Sequence, residues 1–193
     1  MRRRAGRLYV ISSPSGGGKT TVVRELGRTS PGLVRSVSVT TRAPRSGERA
    51  GREYQFVSPA AFERLKRAGR LLEWARVHGA WYGTPRRPVA AALARGRDVV
   101  LSIDVQGAKK IRRAFGARAT LVFLLPPSMA ELRRRLVSRR TETSATIRRR
   151  MAVARRELAS INAYEYFIVN DRIGEAAGRL RAVIRAQRRP GAR

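Results

Sequence analysis

The chain has 193 residues, 42% of them hydrophobic, and carries 43 basic against 13 acidic side chains for a formal charge of +30. This length and composition fit one compact domain with a real core and inserted lobes. No apolar run approaches the roughly 18–20 residues that span a membrane, no signal peptide is read in the basic start, and with no cysteine and one histidine, His78, neither disulfides nor thiolate or histidine-rich metal sites are available.

A cytoplasmic enzyme is therefore the expectation. The basic residues are arginines except for Lys19, Lys66, Lys109 and Lys110. A field this positive attracts nucleotides, phosphates and RNA. The arginines are scattered rather than gathered on one segment, which favours compositional bias over a dedicated nucleic-acid site, with weak non-specific RNA binding as a by-product.

Leu8 to Ile11 is a short apolar run, read as a buried strand. Ser12 to Thr21 follows as SSPSGGGKTT, and Val22 to Leu26 has helical spacing. A strand, a Gly-rich turn ending in Lys-Thr and a helix together make a phosphate-binding loop. Its glycines, Gly16, Gly17 and Gly18, let the backbone curl so that successive N–H groups and a helix N-terminus face an anion. Lys19 reaches the β- and γ-phosphates of a nucleotide, and the Thr20 hydroxyl ligates Mg²⁺. Ser13 stands where the general motif has glycine.

Ser30-Pro31-Gly32 is a turn. Leu33 to Val39 alternates apolar and polar residues, which predicts one exposed or edge strand. Thr40 to Tyr54, broken by Pro44, Gly47 and Gly51, is a loop carrying Arg42, Arg45, Arg49 and Arg52. These arginines either fork onto a phosphate or form a solvated basic loop. Tyr54 to Val57 reads as a short strand, and Ala60 to Ala68 as a helix started by Ser58-Pro59 and ended by Gly69. Leu71 to Val77 is apolar around Glu73, and GAWYGT from Gly79 to Thr84 turns into another segment. A helix runs from Pro85 and Pro88 to about Ala94. Asp98 to Ile103 is the strongest strand, with Asp104 at its carboxyl end, where α/β proteins gather ligand chemistry. Asp104 is either an acid on the Mg²⁺ side of the site or a helix cap.

Gln106 to Arg113 is a helix and Ala119 to Leu125 a buried strand. Ser128 starts the next helix, with Glu131 as its capping-box partner. Arg133 to Arg150 is Arg-rich, either a solvated helix pair or a mobile lid that brings arginines onto phosphates. Ala152 to Ile161 is helical, Tyr166 to Val169 a last strand, and Ile173 to Ala186 a closing helix. The order predicts an α/β three-layer sandwich with a mainly parallel sheet, of the P-loop NTPase type.

From about Arg7 to Gln187 the chain resembles the guanylate kinases. The resemblance rests on SSPSGGGKTT at 12–21, SVSVTTRAPRSGE at 36–48, LLEWARVHGAWYGT at 71–84, SIDVQG at 102–107, LLPPS at 124–128 and IVND at 168–171. It implies transfer of the γ-phosphoryl group of Mg-ATP to GMP, and by extension to dGMP, with no membrane or specific nucleic-acid partner. It implies a core of about 7–37, 91–129 and 160–187, a GMP-binding lobe of about 38–90, a lid of about 130–159, and a basic tail, 188–193. By similarity Ser38, Glu73, Thr84 and Asp104 contact guanine, and Arg42, Arg45, Tyr54 and Tyr82 hold the GMP phosphate. Arg135, Arg139 and Arg150 act with Lys19 and Arg42 on the transferred phosphoryl group. Ser13, Pro14, Ser15, Gly16, Gly17, Gly18, Lys19 and Thr20 cradle ATP, and Asn170 lines the adenine pocket. Ser102 and Arg140 depart from the family's usual Asp and Gly. Three other readings are weaker: a sister kinase acting on a ribose bisphosphate, a non-catalytic scaffold module, and an RNA-binding protein. The first lacks the guanine-reading residues, the second comes with a degraded phosphate loop, and the third has only charge in its favour.

Overall fold

The structure is a computed structural model that describes residues 5–138 and 143–188. Strand β1 (Leu8–Ser12) is buried along its whole length. It lies between two parallel partners, β7 (Val99–Ser102) and β8 (Ala119–Leu125). A strand covered on both faces needs an unbroken apolar run, which LYVIS and ATLVFLL provide. The five-stranded sheet is completed at one edge by β2 (Val34–Arg35) and at the other by β9 (Tyr166–Val169), in the order β2-β7-β1-β8-β9, all parallel.

Successive residues of β1 face opposite layers. Leu8 and Val10 pack with Leu101, Leu121 and Phe123 under α3 (Arg86–Ala94) and α4 (Val105–Phe115), through Val89 and Ile111. Tyr9 and Ile11 pack with Val100, Val122 and Leu124 under α1 (Lys19–Thr29) and α7 (Ile173–Arg188), through Leu26 and Leu180. Fully burying one such leucine contributes about 1.5–3 kcal/mol.

The stretch Leu33 to Val39 is not one strand. Val34–Arg35 pairs with β7, whereas β3 (Ser38–Thr40) belongs to a second sheet. Alternation in the sequence reports half-burial, not which sheet receives the chain, and the chain crosses between sheets at Ser36 and Val37. The second sheet adds β4 (Tyr54–Phe56), β5 (Leu71–Val77) and β6 (Ala80–Pro85) in the order β4-β3-β6-β5. The β5–β6 hairpin turns through His78 and Gly79, both with positive φ, the geometry that suits strand twist. Helix α2 (Pro59–Arg67) covers this sheet with Phe62 against Val39 and Leu71.

The lobe boundary expected near residue 90 falls inside α3, whose Val89 and Ala92 belong to the core. Helices α5 (Met129–Val137) and α6 (Ser144–Leu158) share a small apolar contact of Leu132, Leu136 and Ala154. Ser128 caps α5 by accepting from the Glu131 amide, but the Glu131 carboxylate pairs with Arg134 and Arg135 instead of completing a capping box. Among the described residues, no helix is long and apolar enough to cross a membrane.

Candidate functional site

The carboxyl ends of β1 and β7, the phosphate loop, the β5–β6 hairpin and α6 surround one cleft that opens to solvent. Residues Ser13 to Thr21 form one wall. Gly18 starts α1 with φ 84°, a conformation that side chains disfavour. A Cβ there would also collide with the Asn170 amide. That amide donates to the Gly17 carbonyl at 2.7 Å. Asn170 is thus buried behind the loop and braces it, and it is not among the cleft-lining side chains.

Lys19 extends across the strand ends and donates to the Ile103 carbonyl at 2.7 Å. Burial lowers its pKa, while Asp104, Glu157 and Glu73 pull it back up. Thr20 is exposed to the cleft at the first turn of α1. Among the described residues no three acidic or histidine side chains gather into a metal cage. A lone hydroxyl beside a phosphate cradle fits Mg²⁺, which commonly arrives with nucleotide phosphates and keeps most of its waters.

The opposite wall is the second sheet. Ser38, Arg45, Tyr54, Glu73 and Tyr82 line it, with Asp104 at the junction. Glu73 is buried on β5 and accepts a 2.6 Å hydrogen bond from Thr84 on β6. Gly107 leaves room for this carboxylate, since a Cβ there would lie 2.5 Å from its Oε2. Burial pushes the Glu73 carboxyl up to about 7; the Thr84 hydroxyl opposes the rise, Asp104 adds to it, and Lys110 and Lys19 oppose it. Asp104 caps α4, one of its two expected roles, and it also lines the cleft. Its Oδ1 accepts from the Gly107 amide at 2.9 Å and its Oδ2 from Gln106 at 3.0 Å.

Arg42 is not directed into the cleft. Its guanidinium forks onto Glu48 at 2.9 Å and donates to the Tyr82 hydroxyl at 3.1 Å. Glu48 also accepts from the Arg45 amide, so one carboxylate organises the loop that presents Arg45. Tyr54 and Tyr82 meet edge to face at 5.8 Å between ring centres. Arg150 lines the cleft from α6. Arg135 sits outside the lining, donating to Glu131 at 2.7 Å and to the Asn170 carbonyl at 3.1 Å. Arg139 and Arg140 lie outside the described residues.

Two lining side chains carry no signal of their own in the motifs, His78 at the hairpin tip and Glu157 in the last turn of α6. One hint of Glu157 exists: it lies three residues after Ala154, on the buried face of the helix, where a carboxylate is out of place unless it is partnered.

The guanylate kinase family model matches residues 5–187. The chain is 50% identical to a guanylate kinase of Oleidesulfovibrio alaskensis, over 94% of this chain and 88% of that protein. It is 48% identical to one of Dechloromonas aromatica, over 94% and 90%. It superposes on the crystal structure of guanylate kinase from Anaplasma phagocytophilum with a TM-score of 0.82 at 37% identity, over 98% of this chain and 89% of the other. With a family match over nearly its whole length and the cleft just described, the chain belongs to the guanylate kinase family.

Proposed function

We propose that this cleft carries out guanylate kinase chemistry, the phosphorylation of GMP by ATP, with the two nucleotides entering from opposite walls. The observation that carries the assignment is that one cleft is lined jointly by the phosphate loop and by Ser38, Arg45, Tyr54, Glu73, Tyr82 and Asp104. ATP lies with its phosphates on Ser13 to Thr20. Mg²⁺, held by Thr20 and the phosphates, supplies charge neutralisation. Lys19 leaves the Ile103 carbonyl for the β/γ-phosphates, where its positive charge is matched. Asn170 holds the loop from behind, and its carbonyl accepts from Arg135.

On the facing wall Glu73 accepts from the guanine ring N–H and exocyclic amine. Thr84 orients that carboxylate, and Ser38 and Asp104 complete the base pocket. Arg45, Tyr54 and Tyr82 hold the GMP phosphate, with Arg42 fixing Tyr82. By the same reading dGMP is a second acceptor. Arg150, with Arg139, neutralises the phosphoryl group in transfer. Phosphoryl transfer is mostly positioning and electrostatics, so no general base of special pKa is needed. A cytoplasmic nucleotide pool is the setting this reading expects.

Steady-state kinetics with GMP and AMP on wild type and Glu73→Gln test the assignment. Expected is a fall in the GMP-over-AMP ratio of kcat/KM by about tenfold or more, as a guanine-directed hydrogen bond to a charged group is lost. An unchanged ratio removes Glu73 from the base pocket.

A further inference from the structure

The cleft holds a third carboxylate that the roles above leave unused. Glu157 lies in the last turn of α6, is buried, and faces the same space as Lys19, Thr20, Ser102 and Asp104. Its Oε2 is buried without a hydrogen-bond partner, a condition that calls for a polar occupant. The other two carboxylates are committed, Glu73 to Thr84 and Asp104 to the first turn of α4. The last residue of β7, ahead of Asp104, is Ser102, which offers a hydroxyl and no carboxylate.

Burial pushes the Glu157 carboxyl up to about 7; Lys19 opposes the rise, Asp104 adds to it, and the Ser15 backbone N–H opposes it. A triphosphate on the loop brings more negative charge to the same space. A buried carboxyl beside it keeps its charge only with positive charge between them. Lys19 is drawn to the phosphates, which leaves Glu157 in need of another cation. Mg²⁺ sheds its waters reluctantly, and those waters donate to nearby carboxylates.

We propose that Glu157 is a positioning residue for the metal: its unpartnered oxygen accepts from the water shell of the Mg²⁺ that enters with ATP at Thr20. This rests on the reading that Mg-ATP occupies the phosphate loop. Because Glu157 belongs to α6, the contact also joins the helix that carries Arg150 to the loaded loop.

The test is calorimetric binding of the β,γ-imido analogue of ATP, with and without Mg²⁺, to wild type, Glu157→Gln and Ser102→Asp/Glu157→Gln. In wild type Mg²⁺ tightens binding. In Glu157→Gln that tightening falls by about tenfold, the usual scale for an outer partner of a metal, while metal-free binding changes little. The added Ser102→Asp returns a carboxylate to the cleft and restores the tightening. If Glu157→Gln keeps the full Mg²⁺ effect, the proposal is wrong. If it loses affinity equally with and without the metal, Glu157 only shapes the loop through its hydrogen bond from the Ser15 backbone N–H, and the proposal is again wrong. A wild-type chain indifferent to Mg²⁺ removes the underlying reading, and the proposal with it.

Discussion

Glu73 is held where a carboxylate resists ionising. Burial raises its carboxyl to about 7 from an ordinary 4.5, so in the free protein it takes up its charge only as the pH rises through neutrality. In the proposed pose guanine presents N–H donors to Glu73, so GMP would select the ionised form. The sign follows: an acid with a raised pKa loses affinity for such a ligand as pH falls below about 7, and affinity is flat above it. GMP binding at pH 6 should release a proton, read by calorimetry in buffers of different ionisation heat. Glu73→Gln should abolish the part of the release that comes from this group, and an equal release from both proteins would assign the proton elsewhere. The same shift predicts that Glu73 makes the folded state less stable as pH rises from 4.5 to about 7, with no further change above. If Lys19 acts on developing charge as proposed, Lys19→Ala should lower kcat by about 10²–10³-fold, measured as ADP release.

At the scale of the element, the phosphate loop is fixed by a strand before it, a helix after it and Asn170 behind it. Gly18→Ala puts a Cβ both on a left-handed backbone and against the Asn170 amide. The backbone term alone costs about 1–2 kcal/mol, so a lower Tm and weaker ATP binding should appear together. Gly27 lies inside α1 with open space where a Cβ would stand, and it predicts the opposite sign: Gly27→Ala should stabilise by about 0.5–1 kcal/mol. Equal melting shifts for the two variants would contradict this account of the loop. The elements legible in the sequence are those whose pattern follows from local physics. The runs at Leu8 and Ala119 announce strands buried on both faces, and Ser58, Ser128 and Asp104 announce helix starts. Three features are not legible there, because each depends on a partner distant in the chain. The split of Leu33 to Val39 between two sheets depends on β7 and β6. The turning of Arg42 onto Glu48 and Tyr82 depends on how the loop folds back. The burial of Glu157 beside Lys19 depends on where α6 lands.

At the scale of the whole molecule, two sheets and a helix pair meet at one cleft, and the reaction needs that cleft to exclude water. Small-angle scattering should show a smaller radius of gyration with both nucleotides bound than with neither, and no change would argue against closure. The net charge of +30 predicts weak RNA binding that falls steeply with salt and does not depend on sequence; binding that survives high salt on one defined RNA would point to a dedicated site. The central claim is that the cleft moves phosphate from ATP to a guanine nucleotide. The most direct measurement is ADP release from Mg-ATP against GMP, dGMP, AMP, CMP, UMP and ribose 1,5-bisphosphate, with product identified by chromatography. The account predicts equal amounts of ADP and GDP or dGDP with the two guanine acceptors and little with the rest. Turnover only with the sugar bisphosphate, or none with any acceptor while ATP still binds, would contradict it.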